Sequence, residues 1–494
     1  MAHLDLRDYL QALERVGELH RVDAEVNPHL EVGAIAQRLA ERGGPAVHFR
    51  TVKGAGYGVS LVGGLLGRGC AGLWSRAAIA LEMSPEANYR EIRDEIVRRC
   101  ESSIRPMQVS GGLCKQFIIS GKDLNLEALA PLLLHDGDGD RCLTSLAFTV
   151  AGEPGAGYVA WDLLPLNVLS RNTLSGRLTQ DSNVARIWRA RYAATGQPMP
   201  FAIVFGGPPT AIMAAAFRRR RGPITDPEIA GTLQRAPVQL VKCETSDLLV
   251  PASAEMILEG VVSPDAQAET GTVAGSFGYR VRGSYRGPIF EVRMITHRRD
   301  PILPMCAWGT PTSDFHILQG LDRDAQLKAR LEKTGAPVVD VFSPPWLAGS
   351  VVAATTKVPY SAYALTVSGI IRSIEGTKYT PYILVCDDDI DITNPVSLFH
   401  ALVTKCHPAR DSWIVKESIA DPDAPYLSDE ERECGTAARA IFDCTWPLDW
   451  DKSIAVPPKV SFDQCYPPTL QEKVLREWSA GLGFPREVDR PARL

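Results

Sequence analysis

The pattern of apolar positions changes three times along the chain and predicts regions of different structure. Apolar residues recur at helical spacing from Leu6 to Val16, which predicts an amphipathic helix. A short strand, a second helix, glycine-rich turns and another amphipathic helix near 86–100 are predicted to follow. These elements together predict a small N-terminal α/β domain over residues 1–115.

The second region, residues 116–310, is dominated by short β-rich runs that Gly and Pro turns separate. Many short strands broken by turns are typical of a sheet or barrel. Helical patterns interrupt the strands near 181–195 and 226–234. The predicted strands are Phe117–Ser120, Leu143–Ala151, Pro200–Phe205, Val238–Cys243, Glu255–Val262 and Pro288–Ile295.

The third region begins with a long predicted helix over residues 311–335, which we interpret as a connector. Strands then alternate with helices from residue 336, a pattern typical of βαβ units. Residues 336–494 are therefore predicted to form a second α/β domain. The predicted fold class is a multidomain α+β protein.

Composition narrows the classes of function. A chain of 494 residues is too long for one hydrophobic core. The net charge of -5 argues against a general nucleic-acid binder. The sequence has no apolar run of the roughly 20 residues that a membrane helix needs. The first ten residues, MAHLDLRDYL, lack a signal-peptide pattern, so we predict a cytoplasmic protein without a membrane or nucleic-acid partner.

The 11 cysteines are scattered along the chain, with no pair at the short spacing typical of zinc or thioredoxin-type motifs. In a reducing compartment such a set is most simply a set of buried thiols.

A long segment at 242–260, KCETSDLLVPASAEMILEG, resembles the UbiD family of decarboxylases. The resemblance implies a central split β-barrel that holds a flavin and a C-terminal α/β domain that drives assembly of a homodimer or homohexamer. It extends over most of the chain, through residues 6–38, 161, 171–176, 200–217, 302–314, 382–394 and 442–447.

The resemblance also implies a cofactor and a reaction. The cofactor is prenylated FMN, made from FMN by a separate flavin prenyltransferase, with its phosphate held by Mn²⁺ and K⁺. The implied substrate is an aromatic or α,β-unsaturated carboxylic acid. In the family a glutamic acid returns a proton to the carbon that has lost CO2, and a Glu-Arg-Glu network supports this step.

The sequence departs from the family where this chemistry resides. The family's arginine position holds Pro165, and its metal-binding asparagine position holds Ala160. The family's metal-binding histidine should fall at 182–183, where this chain has Ser182 and Asn183. Residues 136–296 contain no histidine, so no shift of the alignment restores that ligand.

Other candidate residues follow from the matched positions. For the metal, Asp226 and Glu228 offer carboxylates, although Asp226 before a proline is also typical of a helix N-cap.

Arg218 begins a run of four arginines that either holds a phosphate or a CoA-type substrate, or forms a solvated loop. Arg439 either faces the flavin or lies at the surface. The predicted cofactor-binding residues are Trp161, Asp162, Leu163, Asn183, Arg218 and Arg439.

The acid-bearing loop of the family best matches residues 274–279, AGSFGY, in which Ala274 and Tyr279 replace both glutamates. A gapless placement instead puts Thr270 and Gly275 at these positions and also loses both glutamates. We predict Tyr279 or Glu269, the nearest upstream carboxylate, as a non-standard proton donor. A phenol is ordinarily a weaker acid than a carboxylic acid, and a tyrosine packed in the barrel is the alternative.

Three functions are compatible with these observations. The first is a UbiD-like carboxy-lyase with an atypical proton donor. The second is a UbiD-like protein without decarboxylase activity of its own, either a subunit of a complex or a protein with a reused pocket. The third is a decarboxylase of a CoA thioester whose phosphates bind the arginine run.

Overall fold

The computed structural model describes residues 3–155, 157–179, 181–217, 224–271, 275–281, 283–451, 453–478 and 482. Its first helix, Leu6–Arg15, begins where the Asp5 carboxylate accepts the backbone N–H of Asp8 at 2.8 Å. The predicted apolar stripe is buried, except that Val16 lies just beyond the helix and is exposed.

A mixed sheet forms the N-terminal region. Its first two strands are parallel, the third is antiparallel to the second, and the fourth is parallel to the third. The fourth strand comes from a distant part of the sequence, beyond the central β-region. In order across the sheet the strands are Leu19–Val26, Ala46–Val52, Ser60–Gly63 and Ile302–Met305. The α-helices are Leu6–Arg15, Glu31–Arg42, Ser75–Ala80 and Tyr89–Arg99.

An antiparallel sheet forms the centre of the molecule, and its longest strands, Ala254–Thr270 and Tyr285–His297, pair with each other. Phe117–Ser120 also pairs with Tyr285–His297. Across the sheet the remaining order is Val159–Leu163, Phe148–Gly152, Met199–Gly206, Ala254–Thr270, Tyr285–His297, Thr173–Ser175 and Asn167–Val168.

Shorter elements complete the central region. A small sheet contains Leu249–Pro251, Gln239–Lys242 and Met107–Gln108. The α-helices are Asn183–Ile187, Pro209–Ala216 and Asp226–Gln234, and a π-helical turn, Trp188–Tyr192, extends the first of them. The 3₁₀ turns are Leu113–Lys115, Gly121–Asp123, Leu126–Leu129 and Ala193–Thr195.

The long predicted helix is present as Asp314–Thr334 and leads into the C-terminal sheet. The sheet is mixed and has parallel pairs at its centre. In order its strands are Val338–Phe342, Val351–Thr356, Tyr382–Asp387, Thr436–Cys444 and Ser412–Ile419. The other helices are Tyr363–Arg372, Pro395–Lys405, Asp429–Cys434, Phe462–Cys465 and Pro468–Glu477, and the 3₁₀ turns are Pro345–Leu347 and Glu375–Thr377.

The mixed α and β content in three regions confirms the predicted fold class. The predicted boundaries of the domains remain predictions. The strand Ile302–Met305 lies within the predicted central region but pairs with Ser60–Gly63 of the N-terminal sheet, so the two regions are interwoven. All 11 cysteines are free thiols, and six of them are buried as predicted. The prediction of burial is wrong for Cys70, Cys434 and Cys465, which are exposed. Over the described part of the chain, no helix is both long and apolar enough to cross a membrane.

Candidate active site

The strand Val159–Leu163 brings two of the predicted residues against neighbouring helices. The backbone N–H of Trp161 donates to Oδ2 of Asp226 at 2.8 Å. The carboxylate of Asp162 accepts the hydroxyl of Ser182 at 2.6 Å and the backbone N–H of Val184 at 2.7 Å. Asp162 thus joins the strand to the start of the helix Asn183–Ile187. Asp226 joins the strand to the start of its own helix, Asp226–Gln234.

The start of the helix Asp226–Gln234 explains the different roles of its two carboxylates. Thr225 is the N-cap residue. Glu228 accepts the backbone N–H of Thr225 at 2.7 Å and its hydroxyl at 2.9 Å, as in a capping box. Thr225 therefore occupies the cap position, and the side chain of Asp226 reaches the neighbouring strand.

Trp161 is buried and packs on Phe148, with 4.8 Å between the ring centroids. Its indole Nε1 is also buried and has no hydrogen-bond partner among the described residues. A buried indole N–H ordinarily finds a partner. Trp161 thus offers a donor that a bound molecule can satisfy.

The segment around Asn183 joins the central sheet to the C-terminal region. Asn183 is buried, and its side-chain oxygen accepts a hydrogen bond from Arg186. The carboxylate of the nearby Asp181 accepts hydrogen bonds from the Lys378 ammonium and, at 3.2 Å, from the Tyr379 hydroxyl. These bonds fix the relative position of the two regions.

Arg439 lies on the C-terminal side of this junction and is 2% exposed. Its Nη2 donates to the backbone carbonyl of Lys378 at 2.6 Å, whereas its Nε and Nη1 have no partner among the described residues. Burial, together with the positive charge of Arg372, lowers the pKa of Arg439 to about 10. The predicted alternative of a surface charge is therefore wrong.

The described part of the predicted acid loop, residues 275–281, packs against the same C-terminal strand. Phe277 contacts an apolar cluster that includes Ala437, two residues before Arg439 and hence on the same face of the strand. Tyr279 is 66% exposed, and its backbone carbonyl accepts the N–H of Gly275 at 2.9 Å. The structure therefore does not place Tyr279 in the barrel interior.

His316 attaches this loop to the long helix Asp314–Thr334. Its Nδ1 accepts the backbone N–H of Ser313 at 3.1 Å, which leaves the proton on Nε2. Nε2 then donates to the carbonyl of Ser276 at 2.6 Å. Burial lowers the pKa of His316 to about 4, so the ring is neutral at neutral pH.

Glu269 lies near the end of the strand Ala254–Thr270, where its exposed carboxylate accepts the hydroxyl of Ser284. The next residue, Thr270, is buried. Because successive side chains of a strand point to opposite faces, Glu269 and Thr270 lie on different faces of the sheet.

Two further predictions fall beyond the described residues. Arg218 and the rest of its arginine run belong to the undescribed segment 218–223, and Ala274 belongs to 272–274. Leu163 is described and partly buried, and it packs against the main apolar core.

The donor set for a metal is poor. The matched positions supply Ala160, Asn183 and Asp226, and the carboxylate of Asp226 already accepts an N–H of Trp161. Glu228 completes the cap of its own helix. Over the residues that the structure describes, no cluster of three or more His, Cys, Asp or Glu side chains could hold a metal ion. The residues present therefore do not fit the Mn²⁺ site of the family.

Sequence reasoning missed one ionic cluster beside the loop. The guanidinium of Arg177 binds the carboxylate of Asp423, with 2.6 Å from Nη1 to Oδ2, and lies 4.6 Å from the ring centroid of Tyr285. Burial raises the pKa of Tyr285 to about 12. Arg177 and Asp423 are 246 positions apart, so no local signal could have paired them.

Three family models match successive parts of the chain. They describe the N-terminal, Rift-related and C-terminal domains of 3-octaprenyl-4-hydroxybenzoate carboxy-lyase and match residues 10–96, 106–311 and 316–444. The chain belongs to the UbiD family. The predicted membership of this family of carboxy-lyases is confirmed, and the matches leave only short stretches between the models and at the ends.

Relatives with named activities span nearly the whole chain. The pyrrole-2-carboxylic acid decarboxylase of Pseudomonas aeruginosa is 29% identical over 488 residues, covering 96% of this chain and 98% of that protein. Ferulic acid decarboxylase 1 of Saccharomyces cerevisiae is 28% identical over 513 residues, with 96% and 97% covered. Both relatives are named as decarboxylases of a carboxylic acid.

Solved structures show the same architecture. HmfF from Pelotomaculum thermopropionicum, a UbiD-class enzyme in complex with FMN, has a TM-score of 0.80 at 26% identity and covers 92% of this chain and 97% of its own. The vanillic acid decarboxylase of Sedimentibacter hydroxybenzoicus in its closed form has a TM-score of 0.82 at 26% identity, with 94% and 98% covered. A dimeric evolved form of HmfF is described in complex with prenylated FMN.

Proposed function

We propose that this protein is a carboxy-lyase that acts on an aromatic or α,β-unsaturated carboxylic acid with prenylated FMN. The main structural support is a junction between the central sheet and the C-terminal region. Asp162 of the strand Val159–Leu163 binds Ser182, the neighbouring Asp181 binds Lys378, and the carbonyl of Lys378 binds Arg439. Full-length similarity to named decarboxylases and to FMN-bound and prenylated-FMN-bound UbiD enzymes supports the proposal.

The residues at this junction fit a flavin-type ligand. Trp161 Nε1 and two nitrogens of Arg439 are buried donors that lack partners among the described residues, and such groups gain most from a ligand that accepts their hydrogen bonds. When bound, the prenylated flavin supplies the electron sink for loss of CO2. Arg439 would bind an anionic oxygen. Trp161 and Leu163 would present one face of the strand Val159–Leu163 to the ligand, while Asp162 on the other face would hold the segment at Asn183 in place.

We assign the proton donor to Tyr279, with Glu269 as the alternative. Tyr279 lies on the loop that packs beside the strand of Arg439, and its side chain is exposed. Glu269 points to the face opposite Thr270 and is held by Ser284. A phenol or carboxylic acid at this position would return a proton to the carbon that has lost CO2.

The proposal does not use the metals that the family resemblance implies. Asp226 and Glu228 have structural partners in Trp161 and Thr225, so no step of the proposed reaction depends on Mn²⁺ or K⁺.

The deciding experiment is expression of the full chain with and without a flavin prenyltransferase. Mass spectrometry of the ligand released on denaturation should detect prenylated FMN only after co-expression. The loaded protein should then release CO2 from an acid in a panel that includes pyrrole-2-carboxylate, ferulate and vanillate. A protein that carries prenylated FMN but turns over none of a broad panel of such acids would contradict the proposed activity.

A second function is a UbiD-like protein without decarboxylase activity of its own. The substitutions Pro165, Ala274 and Tyr279 favour it because they remove the arginine and both glutamates of the family network. This function would be supported if the protein bound neither FMN nor prenylated FMN, and if decarboxylase activity appeared only when the protein was combined with a catalytic homologue.

The third candidate function, decarboxylation of a CoA thioester, depends on the run of four arginines at residues 218–221. Substitution of Arg219 and Arg220 by Ala should weaken CoA binding if these side chains hold its phosphates, and should leave flavin retention unchanged. Lost flavin retention would instead assign the run to the cofactor phosphate.

We further propose that the protein is a cytoplasmic homo-oligomer, a dimer or a hexamer. The exposed apolar face of helix Pro395–Lys405 supports assembly through the C-terminal domain, because Val396, Phe399 and Val403 lie at helical spacing on one face.

A further inference from the structure

A cavity of about 470 Å³ lies in the N-terminal region, between the helix Leu6–Arg15 and the first sheet. Small-molecule sites commonly have volumes of roughly 300–1,000 Å³. None of the residues that line this cavity belongs to the candidate active site. The cavity therefore requires its own explanation.

Three arginines line the cavity, and two of them come from adjacent strands. Arg21 stands directly opposite His48 in the parallel pair of strands, and Arg50 is two residues beyond His48 on the same face. Arg7 approaches from the helix. Asp300 is the one acidic residue in the described lining. The cavity wall thus carries more positive than negative side chains.

Each arginine is held by a carboxylate yet keeps donors for a ligand. Arg7 binds Glu255 through Nε and Nη2, at 3.0 and 2.9 Å. Arg21 uses the same two nitrogens for Glu14, at 2.7 and 2.8 Å. The described residues provide no hydrogen-bond partner for Nη1 of either guanidinium.

Arg50 is held less firmly. It donates through Nη1 alone to Asp23 at 2.9 Å, and its Nε and Nη2 have no partner among the described residues. Two-nitrogen pairing with Glu255 and Glu14 fixes the guanidinium groups of Arg7 and Arg21 in advance, which reduces the entropy cost of binding.

His48 adds a neutral polar group to the wall. It is 5% exposed, and its Nε2 lies 3.0 Å from the hydroxyl of Ser60, while Nδ1 is buried without a partner among the described residues. Burial and the neighbouring arginines lower the pKa of His48 to about 4. The ring is therefore neutral at neutral pH, and its buried Nδ1 is a polar atom that a molecule bound in the cavity can satisfy.

We propose that this cavity binds a small-molecule oxyanion, a carboxylate or a phosphate, at a site separate from the flavin junction. Guanidinium groups match the planar and bidentate geometry of these oxyanions. Occupancy would link the helix Leu6–Arg15 to the first sheet, and through Glu255 to the central strand Ala254–Thr270. The site is independent of the proposed decarboxylase activity.

Isothermal titration calorimetry of the full chain with citrate and with inorganic pyrophosphate tests the proposal. At least one probe should bind with one-to-one stoichiometry, and the probe that binds identifies the oxyanion as a carboxylate or a phosphate. Arg50→Gln should weaken binding by about tenfold or more, because it removes charge-assisted hydrogen bonds.

Arg38→Gln is the matched control, since Arg38 is an exposed arginine of the same region that lies outside the cavity and has only a 3.9 Å ion pair with Glu41. This variant should bind the probe as the unaltered protein does. Circular dichroism should show that both variants are folded. Absence of binding by both probes, or binding that Arg50→Gln and Arg38→Gln affect equally, would overturn the proposal.

Discussion

Asp226 and Trp161 are joined by a hydrogen bond of 2.8 Å from the backbone N–H of Trp161 to the carboxylate of Asp226, 65 positions apart in the sequence. Both groups are buried. The bond attaches a helix N-terminus to the strand that forms a wall of the proposed flavin site. A carboxylate that the family resemblance assigns to a metal thus has a structural role in this chain.

The first prediction concerns this bond. Asp226→Ala should lower the free energy of unfolding by about 1–3 kcal/mol, because it leaves a buried N–H without an acceptor. Asp226→Asn keeps an acceptor oxygen and should cost less. Urea denaturation followed by circular dichroism measures both values. Equal stability of the alanine variant and the unaltered protein would refute the role of the bond.

A second prediction concerns the proton donor. Tyr279→Phe should reduce turnover of the flavin-loaded protein by about 10²–10⁴-fold, the usual contribution of a general acid. Its stability should change by less than about 0.5 kcal/mol, because the side chain is exposed. Glu269→Gln is the comparison variant, since its carboxylate is also exposed. A large loss of turnover in Glu269→Gln alone would transfer the role to Glu269.

Arg439 gives a third prediction, in which stability and binding change in opposite directions. Arg439→Met removes a buried charge that lacks a carboxylate partner in the described structure, and should raise the free energy of unfolding of the ligand-free protein by about 1–3 kcal/mol. The same variant should retain less flavin. Arg439→Lys keeps the charge and should retain more flavin than the methionine variant.

Absorbance of the purified protein measures flavin retention, and denaturant titration measures the stability of each variant. Full flavin occupancy in Arg439→Met would exclude Arg439 from the cofactor site.

The fourth prediction is a pH dependence that His316 causes. The pKa of His316 is about 4 in the folded protein and roughly 6.5 in an unfolded chain. Between these values the unfolded chain binds more protons, so the free energy of unfolding should fall as pH decreases from about 6.5 to about 4. The full effect of one such histidine is about 3 kcal/mol. Above pH 6.5 His316 should cause no pH dependence.

His48, with its pKa also lowered to about 4, should contribute in the same direction. Therefore His316→Asn should reduce the slope of stability against pH without abolishing it. His400→Asn, at an exposed histidine on another helix, is the control. A slope that His316→Asn leaves unchanged would show that His316 is not responsible.

The fifth prediction concerns assembly. Val396, Phe399 and Val403 are 69%, 65% and 62% exposed on one face of helix Pro395–Lys405. Phe399→Glu should shift the protein toward the monomer in light scattering coupled to size exclusion, because a carboxylate in an apolar interface is costly. Val16→Glu, at an exposed apolar residue of the N-terminal region, should leave the mass unchanged. An oligomer that persists in Phe399→Glu would place the interface elsewhere.

Local sequence patterns predicted helices and strands well where turn residues lie at both ends of a short apolar segment. The helix Asp226–Gln234 and the strands Val338–Phe342 and Tyr382–Asp387 have their predicted bounds. The strand Ala254–Thr270 was predicted only to Val262, because Pro264 and Asp265 disfavour a strand. In the structure the pairing resumes at Gln267 after an irregularity.

The sequence was less informative about contacts between distant residues. The family resemblance suggested that Trp161 and Asp226 lie near one site, and the structure shows the bond between them. Neither the sequence pattern nor the family resemblance indicated that Asp181 pairs with Lys378, 197 positions away. The cavity lined by Arg7, Arg21 and Arg50 was also missed, since single arginines separated by ordinary sequence form no motif.

The strand Ile302–Met305 has a consequence for how the protein reaches its native state. Because it pairs in parallel with Ser60–Gly63, the first sheet lacks one edge until more than 300 residues have been synthesised. A fragment that ends at residue 115 would expose the backbone of Ser60–Gly63 to other chains, a known route to aggregation. Biogenesis of the N-terminal module therefore depends on translation of the middle of the chain.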